Sequence, residues 1–83
     1  MKVLPVSEEI VTYLKEYQLT KKFDKQVKLL EQNPRHRSLN LELLEPKDYG
    51  VYSFRIDRKY RAILTSWVDK KAIEIIKITD HYQ

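Results

Sequence analysis

Residues 51–65 read VYSFRIDRKYRAILT, and their alternation decides the fold. Tyr52, Phe54 and Ile56 alternate with Ser53, Arg55 and Asp57, and Tyr60, Ala62 and Leu64 alternate with Arg61, Ile63 and Thr65. A period of two marks a strand with one buried face. Asp57-Arg58-Lys59 joins the two runs in a tight antiparallel connection. Downstream, residues 68–71 read as a turn and 72–79 as another strand. That strand carries Ile73, Ile75, Ile76 and Ile78, apolar on both faces, which suits a place inside the sheet. Upstream, Leu39, Leu41 and Leu43 alternate with Asn40, Glu42 and Leu44, which predicts a strand ahead of a turn at 46–50.

Before Pro34 the period is helical. Ser7 is placed to cap a helix over 8–17, with Glu8 and Glu9 in its first turn, where the helix dipole favours acids. Ile10, Tyr13, Leu14 and Tyr17 supply its apolar stripe. Thr20 is placed to cap a second helix with Phe23, Val27 and Leu30 on its stripe, ended by Asn33-Pro34. The link Gln18-Leu19-Thr20 makes the pair an αα-hairpin. Lys2 to Leu4 reads as a short edge strand stopped by Pro5. Helices first and strands after give an α+β fold: a two-helix hairpin on one face of a curved antiparallel β-sheet, in a single domain over 1–83.

Composition narrows the function classes. At 42% hydrophobic and 34% charged residues the chain is globular in type, and no apolar run approaches the roughly 20 residues of a membrane span. Met1 to Val6 lacks an apolar secretory core, so the expectation is a cytoplasmic chain. The absence of cysteine excludes disulfides, thiolate zinc sites and thiol nucleophiles. His36 and His81 lie on different elements and no ligand-spaced cluster surrounds them, so neither a metal nor a cofactor is expected. One glycine rules out a glycine-rich phosphate loop, and there is no nucleophile elbow.

Net charge is +4, and every arginine (Arg35, Arg37, Arg55, Arg58, Arg61) lies beyond residue 33. Arginine's planar fork suits phosphate, so the clustering points to a polyanionic partner. By parity Arg55, Arg61, Lys77 and His81 share the sheet face that the helices leave open, where a basic phosphate-binding surface would sit. The competing reading is an ordinary solvated face, with Arg61 paired to Asp57 or Glu74. Arg35 and Arg37 flank His36 after a helix end, suited either to phosphate or to the helix dipole. The His81-Tyr82 pair follows the last strand directly, and a histidine there can move protons near neutral pH.

In order, Asn33-Pro34-Arg35-His36-Arg37-Ser38-Leu39, Tyr52-Ser53-Phe54-Arg55-Ile56, Tyr60-Arg61-Ala62-Ile63 and Ile76-Lys77-Ile78 leading to His81 resemble the RelE/ParE superfamily of type II toxin–antitoxin toxins. Within it the chain is similar to the YoeB toxins, through Met1-Lys2, Ser7-Glu8-Glu9, the aromatic-Ser-x-Arg-Ile strand and the His-Tyr ending. The resemblance implies a ribosome-dependent, metal-independent mRNA endonuclease that inhibits translation and leaves 2′,3′-cyclic phosphate and 5′-OH ends. It implies Glu42, with Glu45 as alternative, as base, Arg61 as phosphate clamp, and His81 and Tyr82 completing the catalytic set. RNA contacts would come from Arg55, Lys77, Arg35 and Arg37. Its implied partners are an antitoxin protein, the ribosome and mRNA, with no membrane. The alternatives within the superfamily are a DNA gyrase poison and a catalytically inactive binding domain.

Overall fold

The computed structural model describes residues 1–67, 69 and 71–80. Among them are five strands and two α-helices in the order β1 (Lys2–Val3), α1 (Glu8–Glu16), α2 (Thr20–Gln32), β2 (Glu42–Leu43), β3 (Val51–Arg55), β4 (Tyr60–Trp67) and β5 (Ala72–Asp80), with 3₁₀ turns at Arg37–Leu39 and Lys47–Tyr49. The sheet runs β1-β5-β4-β3-β2. β2 to β5 form an antiparallel meander, while β1 pairs in parallel with β5 at the far edge. The helical hairpin therefore carries the chain from one edge of the sheet to the other, and the α+β architecture is as the periodicity predicts.

The two helices begin differently. The Ser7 hydroxyl accepts the Ile10 N–H at 3.3 Å, satisfying one of the free donors of the first turn of α1. Gln18, at φ 58, makes the sharp exit that sends Leu19 into the core. Thr20 is not the cap expected of it: it is the first helical residue, and Leu19 occupies the cap without a side-chain bond. From there Phe23, Gln26 and Leu30 face inward, and the Phe23 ring stacks on Phe54 at 6.3 Å. Ile10, Leu14, Leu19, Phe23 and Leu30 meet Phe54, Ile56, Tyr60, Ala62, Leu64, Ile73, Ile75 and Ile78 in one core. Buried Gln26 is satisfied by two carbonyls, Arg55 at 2.8 Å and Ser38 at 3.2 Å, and so ties α2 to both the sheet and the 33–39 segment.

Two departures from the sequence reading have physical causes. The leucine run 39–44 is not one strand. Leu39 ends a 3₁₀ turn in the core, Asn40 turns left-handed at φ 45, and pairing with β3 begins at Glu42. On β5, Ile63 pairs with Lys77 and Leu64 with Ile75, so Ile76 is a bulge residue. It is 47% exposed rather than part of the buried set. At the β1 edge, the N–H groups of Lys2 and Leu4 bond towards β5, leaving that of Val3 directed outward. The Glu31 carboxylate of α2 accepts it at 2.8 Å.

The β3–β4 turn is held by one side chain. Asp57 Oδ1 accepts the N–H groups of Lys59 at 2.8 Å and Tyr60 at 2.9 Å, while Oδ2 meets Lys22 of α2 at 3.1 Å. Burial acts to raise the Asp57 carboxyl, but these donors outweigh it and hold it below the usual carboxylate range. Asp57→Ala is expected to lower the unfolding free energy by about 1–2 kcal/mol at pH 7. Because the folded-state value is depressed, this contribution is full above the unfolded carboxylate value of about 3.9 and fades as pH falls through the folded value. Denaturant unfolding at pH 7 and pH 3 should show the gap between the two proteins narrowing in acid.

Candidate functional site

The open face of the sheet is organised by register. Glu42 pairs with Ser53, Ser53 with Ile63, and Ile63 with Lys77, giving one transverse row on one face. Arg55 pairs with Arg61 and Arg61 with Thr79, giving the next row on that face. Antiparallel partners point the same way, and so do residues two apart. Glu42, Ser53, Arg55, Arg61 and Lys77 thus come together from β2, β3, β4 and β5. His81 and Tyr82 lie outside the described residues.

Arg61 departs from the sequence reading. It is on the open face, but only 2% exposed, and its neighbours are neither Asp57 nor Glu74. Asp57 holds its own turn and Lys22, and Glu74 accepts the Trp67 indole N–H at 2.8 Å. Parity says which face a side chain takes, not whether another segment covers it. Here the chain from Asn40 to Glu42 does so. Arg61 Nε donates to the Ser53 hydroxyl at 2.9 Å, and Nη2 donates to the carbonyls of Asn40 at 2.5 Å and Ser53 at 3.1 Å. Nη2 also lies 3.8 Å from the Glu42 carboxylate, whose side chain is half exposed. Nη1 is buried with no partner among the described residues. Burial pulls the guanidinium below the usual arginine range, Glu42 opposes the shift and the like charge of Arg55 adds to it. Arginine's intrinsic basicity is high enough that the group remains a cation.

The arrangement is a fixed cation with one uncommitted donor nitrogen, an exposed carboxylate beside it, and two exposed cations, Arg55 and Lys77, on the same face. A base and a preorganised cation at this separation can act on a hydroxyl and an adjoining phosphate. Arg35 and Arg37 do not join the group. They line a cavity of about 690 Å³ with Leu30, Tyr52, Leu64 and Ile73, on the helix side where α2 has ended. His36 is engaged locally, its Nδ1 accepting the Ser38 N–H at 3.2 Å. Glu45 is exposed and precedes the second 3₁₀ turn, outside β2. Among the described residues no group of three His, Cys, Asp or Glu is placed to hold a metal, and no helix is long and apolar enough to cross a membrane.

Sequence reasoning missed Ser53 and Asn40. Ser53 is the small polar residue set opposite Tyr52 and Phe54, one register step from Arg61, so the alternation did mark its face. Asn40 carried a weaker signal: asparagine is one of the few residues that tolerate the left-handed region.

No family model matches the sequence, and no curated protein matches it; solved structures do. A YoeB/ParE toxin from Agrobacterium tumefaciens superposes with a TM-score of 0.74 at 19% identity, over 99% of this chain and 100% of that one. The YoeB dimer from Staphylococcus aureus aligns with a TM-score of 0.65 at 26% identity, over 98% and 94%. The YoeB of the heterotetrameric YoeB-YefM toxin–antitoxin complex from the same organism gives 0.68 at 25% identity with the same coverage. The fold is thus of the RelE/ParE toxin type. Within that type, the YoeB toxins are structural relatives of this chain.

Removing a buried cation leaves its acceptors stranded. Arg61→Ala is expected to cost about 2–3 kcal/mol of unfolding free energy, while Arg55→Ala, exposed on the same face, changes it by less than about 0.5 kcal/mol. Urea unfolding of the two variants beside the parent protein checks both values.

Proposed function

We propose that the chain is the toxin of a type II toxin–antitoxin pair and acts as a ribosome-dependent mRNA endonuclease. The observation that carries this reading is the Glu42 carboxylate 3.8 Å from the buried Arg61 guanidinium on the open face of a YoeB-like fold. Glu42 takes the proton of a ribose 2′-OH. The freed oxygen attacks the adjacent phosphorus, and the bond from phosphorus to the 5′-oxygen breaks. Arg61, with Arg55 beside it, stabilises the charge that develops on the phosphorane oxygens. His81 protonates the departing 5′-oxygen and Tyr82 orients the nucleotide; Lys77 and Arg55 hold the backbone. The products are a 2′,3′-cyclic phosphate and a 5′-OH, and no step calls on a metal ion. Arg35 and Arg37, on the other side of the sheet, serve as outlying contacts to RNA of the ribosome.

The partner class follows from the same relatives, since the YoeB of Staphylococcus aureus is found in complex with YefM. An antitoxin here covers the open face and neutralises its cations, giving an affinity that weakens as salt rises.

A second reading, a gyrase poison or a catalytically inert binding domain, is favoured by one observation: three of the Arg61 N–H bonds are already spent inside the protein. Cleavage assays separate the two. On mRNA loaded in ribosomes with EDTA present, the nuclease reading expects cut RNA with cyclic phosphate ends. It also expects Glu42→Gln to lower the rate by about 10²–10⁴. Cleavage that needs added metal, 5′-phosphate ends, or intact mRNA beside damaged DNA would overturn it.

A further inference from the structure

A guanidinium has five N–H donors in a rigid fork. In Arg61, Nε is spent on the Ser53 hydroxyl and Nη2 on the carbonyls of Ser53 and Asn40, which leaves the two donors of Nη1 unmatched among the described residues, in a buried place. Buried donors without acceptors are uncommon enough to require a reason. One residue, Ser53, takes up two of the three spent bonds, one through its side chain and one through its backbone. Ser53 is itself only 3% exposed, on the strand adjacent to Arg61.

We propose that Ser53 is a positioning residue for Arg61, gripping the Nε and Nη2 edge of the guanidinium so that Nη1 alone is presented to a phosphate oxygen. The inference rests on the reading of Arg61 as a phosphate clamp and deepens it by naming what aims the clamp. A planar fork held on one edge has no rotational freedom left, and a donor fixed in advance stabilises developing charge without reorganising first. A serine suits the task. Its hydroxyl accepts from Nε at the edge of the guanidinium plane, and it carries no charge to compete with the phosphate. The segment that meets Nη2 opposite the serine is lightly held. Asn40 is left-handed, and β2 after it is two exposed residues long. An incoming phosphate moves the Asn40 turn aside and leaves both the serine and Glu42 in place, so the aim of the cation survives loading.

The test uses the full chain, isotope-labelled, with inorganic phosphate and ribosome-bound mRNA as probes. In the parent protein the Arg61 Nε–H signal should exchange slowly with water, and added phosphate should shift the Arg61 side-chain signals. In Ser53→Ala the Nε–H should exchange at least about tenfold faster. There kcat for RNA cleavage should fall about 10–100-fold with KM held within about twofold, because a clamp misplaced by about an ångström costs rate on that scale. Ser53→Thr, which keeps the hydroxyl, should recover most of both. Should Ser53→Ala fail to fold, Ser53→Cys, of similar size with a weaker acceptor, carries the same measurements. A Ser53→Ala protein with unchanged Nε–H exchange, or with fast exchange and the parent kcat, overturns the positioning role and leaves the reading of Arg61 standing. A rise in KM with kcat unchanged overturns it too, since Ser53 would then serve binding alone. A parent protein that neither cleaves RNA nor shifts its Arg61 signals with phosphate overturns both.

Discussion

A guanidinium withdrawn from water has to be met by acceptors placed around its plane, and the buried Arg61 sets that condition for the open half of this molecule. Its acceptors come from β3 and from the segment ahead of β2. They fasten to the sheet a stretch of chain that backbone pairing alone would hold weakly, since β2 is two residues long, with one further bond from the Leu44 N–H to the Val51 carbonyl. The same requirement brings Glu42 beside the cation. A buried charge is seldom the cheapest way to stabilise a small sheet, because desolvation offsets much of what the contacts return. Its presence in an 83-residue chain, where the core is thin, is more easily understood as fixing one geometry than as adding stability.

The other side of the sheet is built on an apolar logic, and the two sides meet at Gln26. Its amide donates to the backbone of Ser38, where the segment that folds back over Arg61 begins, and to that of Arg55 at the end of β3. The helical hairpin thus does more than cover the core face. It anchors the start of the 38–42 stretch, while Arg61 anchors its far end. Helix packing and site geometry are linked through one short piece of irregular chain.

The hairpin of β3 and β4 was plain in the alternation of residues 51–65, because strand parity is a local property and both runs keep it without a break. The two helices were legible for the same reason. What the sequence hid came from tertiary context. The leucines from 39 to 44 carry a strand period, yet a 3₁₀ turn and a left-handed Asn40 satisfy the burial of Leu39 at least as well. The bulge at Ile76 changes parity partway along β5, which no count of alternating residues reveals. At the site, the convergence of Arg55, Arg61 and Lys77 on one face followed from period two. The burial of Arg61 did not, because it depends on a segment twenty residues away in sequence that folds across the strand. The separation of Arg35 and Arg37 from that face likewise depends on where α2 ends against the sheet, a three-dimensional fact with no periodic signature.

At the β1 edge, the acceptance of the outward Val3 amide by Glu31 has a bearing on how the molecule meets others. A free sheet border templates further strands, from copies of itself as readily as from a cognate protein. A carboxylate already seated on the amide that would begin such a ladder removes the template and sets a negative charge in its place. Along this border, recognition passes from the backbone, which every polypeptide shares, to side chains, which only a matched surface can answer.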